Sequence, residues 1–187
     1  MTQISVGELL VRCLHAEGIG LVTGIIDGAH IPIVLHTERY GIRYVNAHHE
    51  EAAVHIAEGY ARIARRPGVV IGNPGCGTGN MLAGVISAHA EGHPIVAIGT
   101  LRPRIKSDPN RGGAWQSADT ESMARPITKY AATVHQWERL PEMVRAAFRA
   151  AMTGRPGPAY LAIPDELLLE TIDADRLPPV VPAERYR

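Results

Sequence analysis

A chain of 187 residues with 45% hydrophobic and 20% charged content is long enough to bury a substantial core and is not composed like a disordered segment. Lys and Arg together number 19, matching 19 Asp and Glu, and no basic cluster stands out, so nucleic acid and anionic membranes are poor candidate partners. No apolar run approaches the roughly 18 residues that a membrane span needs, MTQISVGELL lacks the features of a signal peptide, and Cys13 and Cys76 form no CxxC, so a cytoplasmic protein without a disulfide framework is expected.

Val6, Leu9, Leu10, Cys13 and Leu14 recur at helical spacing, and Gly18 is placed to end that helix. LVTGII then reads as a short buried strand. A helix near IPIVLHTERY follows, then strand IRYVNA, a helix over 48–65, strand GVVIGN, a helix near 79–90 and strand PIVAIGT. Beyond an irregular stretch come strand KYAATV, a helix over 140–153 and strand AYLAIP. Strands that alternate with helices, most of them almost wholly apolar, predict a parallel sheet covered on both faces. Right-handed crossovers make this a doubly wound α/β fold with a six-stranded parallel sheet. The domain is expected to run over 1–172, with a Pro-rich arm at 173–187.

Ligands of such sheets bind beyond the carboxyl ends of the strands, which places Asp27–Gly28, Ala47–Glu50, Asn73–Gly77 and Thr100–Arg104 along one rim. Residues 101–120, rich in Pro, Gly, Asp and Asn, make an excursion long enough to be a functional loop.

Three chemistries compete for this rim. The HHEE run with His55 invites a metal, but an HExxH pattern begun at His49 would need its second histidine at Ala53. His55 reads more simply as a surface partner of Glu51. The turn GCGTGN has glycines at 75, 77 and 79 and no GK[ST], which excludes a phosphate-binding P-loop and leaves a dinucleotide loop as a weak match. Glu50 is the third candidate. A strand aims it at the rim, and Ala47, Ala52 and Ala53 leave space around it. A carboxylate among apolar groups is a tunable proton donor or acceptor.

The run HHEEAAVHIAEGYARIARRPGVVIGNPGCGTGN resembles the N-terminal pyrimidine-binding domain of thiamine-diphosphate enzymes of the acetolactate synthase, benzoylformate decarboxylase and pyruvate decarboxylase group. The likeness rests on His49-Glu50-Glu51, Gly59-Tyr60-Ala61-Arg62, Pro67-Gly68-Val69-Val70 and the Gly75–Asn80 turn, and continues through GHPIVAIG, ARPITKYA and TGRPGPAYLAIPDE. It implies that Glu50 is the catalytic glutamate, hydrogen-bonded to a ring nitrogen of the cofactor's aminopyrimidine so that the thiazolium carbon can be deprotonated. It further implies that Asn73, Pro74, Gly75, Cys76, Gly77 and Asn80 line the pyrimidine pocket.

Departures from the family carry as much weight. The family's second half holds magnesium and diphosphate through Gly-Asp-Gly and a later Asn, and this sequence contains no GDG. The resemblance therefore implies a split enzyme: a second subunit carries the GDG…N domain with its Mg2+, in an assembly expected to be α2β2, acting on a small-molecule substrate. GIIDGAH replaces the usual loop after the first strand, which puts Asp27, Gly28 and His30 at the mouth. Asn73 stands where benzoylformate decarboxylase has a catalytic histidine, and Leu101 where many carboligating members have a glutamine. His48, His49, His89 and His93 are candidates to replace the lost relay, though each reads more readily as structural. Asp27, Gly28, His30, His49, His93 and Leu101 are thus the expected substrate-pocket residues, and no metal ligand is expected from this chain. Other readings are a non-catalytic regulatory subunit of a full-length synthase and a stand-alone nucleotide binder.

Overall fold

A computed structural model describes residues 3–107 and 114–181. The chain order is β1 (Gln3–Ser5), α1 (Val6–Ala16), β2 (Leu21–Gly24), α2 (Ile31–Thr37), β3 (Arg43–Asn46), α3 (Glu50–Ala64), β4 (Gly68–Gly72) and α4 (Cys76–Glu91). It continues with β5 (Ile95–Leu101), α5 (Arg104–Ser107), α6 (Thr120–Ala124), β6 (Ala131–Thr133), α7 (Leu140–Met152), β7 (Ala159–Pro164), α8 (Asp165–Leu169) and β8 (Thr171–Asp173). The main sheet has six strands in the order β3-β2-β4-β5-β7-β6, and every pairing in it is parallel. This is the α/β architecture expected from the sequence.

Alternation along the strands divides the core into two layers. On β4, Val69 and Ile71 join α1 and α7 through Leu9, Leu10, Val144 and Phe148. Val70 points the other way, toward Val54 and Ala57 of α3 and Met81 and Val85 of α4. Helix α1 stops where Gly18 takes φ +74°, with Ile19 N–H donating to Leu14 O at 3.1 Å and Gly18 N–H to His15 O at 2.9 Å. That pair of bonds is a Schellman cap, and it confirms Gly18 as the stop signal.

Besides the short helices α5, α6 and α8, which the sequence reading did not include, two differences bear on the core and the chain's ends. Helix α4 begins at Cys76, several residues before the expected start, so Gly77 and Gly79 lie within its first turn. Glycine is a poor helix former. Here close packing decides: a β-carbon at Gly84 would lie 2.8 Å from Val54 Cβ and 3.2 Å from Glu51 O on α3. The second difference is a small antiparallel ribbon of β1 and β8, whose three-residue strands are too short to leave a periodic signal. The expected arm boundary between 172 and 173 falls inside β8, and Leu177 and Val180 pack against the core. Residues 182–187 of that arm lie outside the described residues. Among the described residues, no helix is long and apolar enough to cross a membrane.

Candidate functional site

The strand order reverses between β2 and β4: the chain passes from β2 out to β3, then returns across β2 to β4. A crevice opens beyond the carboxyl ends at such a switch. Three loops meet there, following Gly24, Asn46 and Gly72.

Glu50 is the first residue of α3 and is only 6% exposed. His49 precedes it in an extended conformation (φ −155°, ψ 140°), and its Nδ1 accepts a 3.3 Å hydrogen bond from Glu51 N–H. The histidine is therefore the helix cap, exposed at the surface, and it fixes the direction in which Glu50 leaves the strand. Asn80, one turn into α4, donates from Nδ2 to Glu50 Oε2 at 3.1 Å. On the other side a β-carbon at Gly77 would lie 2.7 Å from Glu50 Oε1 and 2.6 Å from Asn73 Cβ. Helix α4 thus offers the carboxylate one amide donor and one bare stretch of backbone. Ala47 and Ala53 are buried beside it and help keep water away.

The turn beneath is built from Asn73, buried Pro74 and Gly75. Gly75 takes φ +61° and ψ −101°, which an L side chain rarely adopts. Asn73 O accepts from Thr78 N–H at 2.7 Å and Thr78 Oγ1 at 2.8 Å, locking the turn to α4. Asn73 Oδ1 is buried with no hydrogen-bond partner among the described residues. An orphaned acceptor beside a carboxylate and a glycine-lined slot suits a flat, amine-bearing heterocycle. The aminopyrimidine of thiamine diphosphate is such a group, and these residues fit it.

His30, expected at the mouth, lies fully buried at the switch point. Its Nδ1 is 2.8 Å from Ile25 O, and its Nε2 is 3.3 Å from Thr100 Oγ1, which also donates to Gly72 O at 3.2 Å. It joins the ends of β2, β4 and β5. Burial pushes its pKa down, against the opposing pull of the Asp27 charge, the Ile25 and Gly72 carbonyls and the Glu50 charge. Asp27 Oδ1 accepts from Ala29 N–H at 2.9 Å, and Asp27 and Gly28 line a cavity of about 190 Å3 with Arg102 and Asp165. Leu101 lines an adjoining cavity of about 490 Å3.

His93 does not join this group. It precedes β5, at the opposite end of the sheet, and its Nδ1 sits 3.1 Å from Glu58 Oε1. Glu58 is two turns along α3 from Glu50, roughly 12 Å by helix rise. His55 contacts the same carboxylate, with Nδ1 2.7 Å from Glu58 Oε2, in place of the expected pair with Glu51. Among the described residues no group of three or more His, Cys, Asp or Glu side chains is arranged to hold a metal ion.

Sequence reasoning missed Gln116. Its backbone holds φ +62°, its Oε1 accepts from Arg102 Nη2 at 2.6 Å, and its Nε2 donates to Cys76 Sγ at 3.2 Å. The only signal was the irregular composition of 101–120, which marks a loop without marking a residue.

Residues 4–123 match the family described as thiamine pyrophosphate enzyme, N-terminal TPP binding domain. Over 184 residues the chain is 35% identical to the acetolactate synthase isozyme 3 large subunit of Escherichia coli (strain K12), covering 97% of this chain and 31% of that protein. It is 32% identical over 177 residues to a probable acetolactate synthase large subunit of Methanocaldococcus jannaschii, covering 95% of this chain and 29% of the relative. A catabolic acetolactate synthase of Raoultella terrigena is 36% identical over 172 residues, covering 91% and 30%. The chain therefore spans less than a third of the length of these relatives. With more than half of its residues matched by the family, and a carboxylate slot that suits an aminopyrimidine at the sheet's switch point, the chain belongs to the thiamine pyrophosphate enzymes, corresponding to their N-terminal TPP-binding domain.

Proposed function

We propose that this chain is the pyrimidine-binding subunit of a two-component thiamine-diphosphate enzyme that makes or breaks a carbon–carbon bond next to a carbonyl. The observation that carries the reading is the Glu50 carboxylate, 6% exposed and held between the Asn80 amide and the Gly77 backbone. A module that only bound another synthase would have no use for an acid in that position. Of decarboxylation, cleavage of an α-hydroxyketone and carboligation, the relatives named acetolactate synthase favour carboligation.

Thiamine diphosphate, when bound, supplies an acidic thiazolium carbon and an electron sink for the carbon next to the carbonyl. The rest falls to this chain. Glu50 would hold one proton at the pyrimidine nitrogen and release it in turn. Asn80 fixes Oε2, so that Oε1 is the oxygen left to face the ring. Asn73 Oδ1 would accept from the exocyclic amine. Gly75 and Gly77 let a planar ring approach the backbone.

In this reading the diphosphate and its Mg2+ are held by a GDG…N domain outside these 187 residues, carried on a second polypeptide. An apolar face supports a docked neighbour: Ile56 and Ile63 of α3 and Ile86 of α4 are 39%, 88% and 55% exposed, on the helix pair that also carries Glu50 and Asn80. An α2β2 assembly places each site between unlike chains. Mixing the chain with the GDG…N-bearing polypeptide that co-purifies with it tests the reading. Turnover of a 2-oxo acid should then require both chains, thiamine diphosphate and Mg2+. Turnover by this chain alone, or co-purification only with a complete large synthase, contradicts it.

A further inference from the structure

Arg102, just beyond β5, lines three adjoining cavities of about 190, 490 and 300 Å3. The largest lies within the range usual for small-molecule sites. The guanidinium has five N–H donors, and the described residues commit few of them. Nη2 donates to Gln116 Oε1 at 2.6 Å, while Nη1 lies 3.9 Å from Asp165 Oδ2, beyond hydrogen-bond distance. Burial and then the Glu166 charge push the Asp165 pKa up, against the opposing pull of the Glu166 backbone N–H and the Arg102 and Lys106 charges. The neighbouring cation is already committed: Arg104 Nε donates to Glu166 Oε1 at 2.9 Å and its Nη1 to His135 O at 3.0 Å. Asp119, the one acid among the described residues in the wall of the 490 Å3 cavity, accepts from Ser122 N–H at 3.1 Å. Among the described residues Arg102 thus keeps spare donors facing all three cavities, and the Lys106 ammonium adds a second positive charge to the wall of the 300 Å3 one.

Gln116 connects Arg102 to the reacting end of the site. Its side chain spans from Arg102 to Cys76 Sγ at the start of α4, and its backbone is held at φ +62°, a conformation a non-glycine residue adopts only when its surroundings impose it. Any β-carbon at Gly75 would run into that backbone, so the cofactor turn and the Arg102 loop are shaped against each other.

We propose that Arg102, oriented by Gln116, binds an oxyanion group of the substrate distant from its reacting carbonyl, so that the preferred substrate is a 2-oxo acid with a second acidic group. This rests on the reading of Glu50 as the cofactor acid, but the anion site itself does not. A guanidinium fork receives planar carboxylates and tetrahedral oxyanions alike through paired N–H donors.

Trp115 provides a readout independent of the cofactor, because the Arg102 guanidinium carbon lies 5.7 Å from the centre of its ring. In a Trp137→Phe background Trp115 is the sole tryptophan. Its emission should change saturably on adding succinate or inorganic sulfate, and not with chloride at equal ionic strength. Arg102→Gln should weaken that response about 10- to 100-fold, and Arg102→Lys should retain part of it. Whether succinate or sulfate acts at lower concentration distinguishes a carboxylate from a tetrahedral oxyanion. In the assembled enzyme, Arg102→Gln should raise KM for a dicarboxylic 2-oxo acid about tenfold or more while leaving KM for pyruvate unchanged. No saturable emission change in the parent, or one that survives Arg102→Gln, overturns the anion site. Equal KM effects on both substrates overturn the substrate class. An intact emission response with no thiamine-dependent turnover of any 2-oxo acid overturns only the reading of Glu50.

Discussion

Asn80 and Glu50 meet across two helices, with Nδ2 donating to Oε2 at 3.1 Å. The bond holds the carboxylate by one oxygen and leaves the other beside Gly77. Asn80→Ala should keep the fold and lower turnover of the assembled enzyme about 10-fold, as expected for a lost hydrogen bond to a charged group. Asn80→Asp should do more, because it replaces the amide donor with a second carboxylate facing Glu50.

Gly77→Ala tests the bare backbone opposite. The added methyl would meet Asn73 Cβ at 2.6 Å and Glu50 Oε1 at 2.7 Å. Overpacking of this kind costs about 1–3 kcal/mol. Thermal denaturation should show a drop of that size, and thiamine diphosphate should bind the assembled enzyme more weakly. Gly79→Ala is the control, since a β-carbon there meets nothing within 4 Å.

Acid should destabilise the chain in two separable windows. His30 prefers its neutral form because it is buried, so its contribution is complete above the unfolded value of 6.5 and is lost as the pH falls below it. Glu8 is 4% exposed, and that burial favours its protonated form; the hydrogen bonds from Arg12 and Tyr40 and the charges of Arg12 and His36 outweigh it and hold the pKa below 4.5. Its contribution is present above 4.5 and is lost as the pH falls through the folded value. Denaturant melts across pH should therefore lose the first step in His30→Asn and the second in Glu8→Gln.

The two thiols should behave differently. Burial, with the Glu17 charge adding to it, pushes Cys13 up to about 12, while Cys76 is exposed at the start of α4. A thiol reagent should modify Cys76 alone in the native chain and both cysteines after unfolding. Bound thiamine diphosphate in the assembled enzyme should slow the first reaction.

Much of this was legible before any coordinates. Apolar runs such as GVVIGN identified the buried strands, and their alternation with helices, implying a parallel sheet, then placed Glu50 and the Gly75 turn on one rim. What escaped notice depended on distant partners. Cys76 and Gly77 read as loop because their helix is stabilised by packing against α3, which a local pattern does not record. His93 looked close to the site in sequence terms, yet the strand that follows it carries the chain the length of the sheet before the rim is reached. Gln116 sits in a segment without periodicity, and its importance comes from what it touches: Arg102 on one side and Cys76 on the other.

The central claim is that Glu50 governs the proton at the pyrimidine ring of thiamine diphosphate. Hydrogen–deuterium exchange at the thiazolium carbon, followed by NMR on the cofactor bound to the assembled enzyme, reads that role without reference to any substrate. The parent should exchange faster than free thiamine diphosphate, and Glu50→Gln should slow exchange by about 10²- to 10⁴-fold while assembly and cofactor occupancy persist. Exchange in the Glu50→Gln enzyme as fast as in the parent would contradict the account.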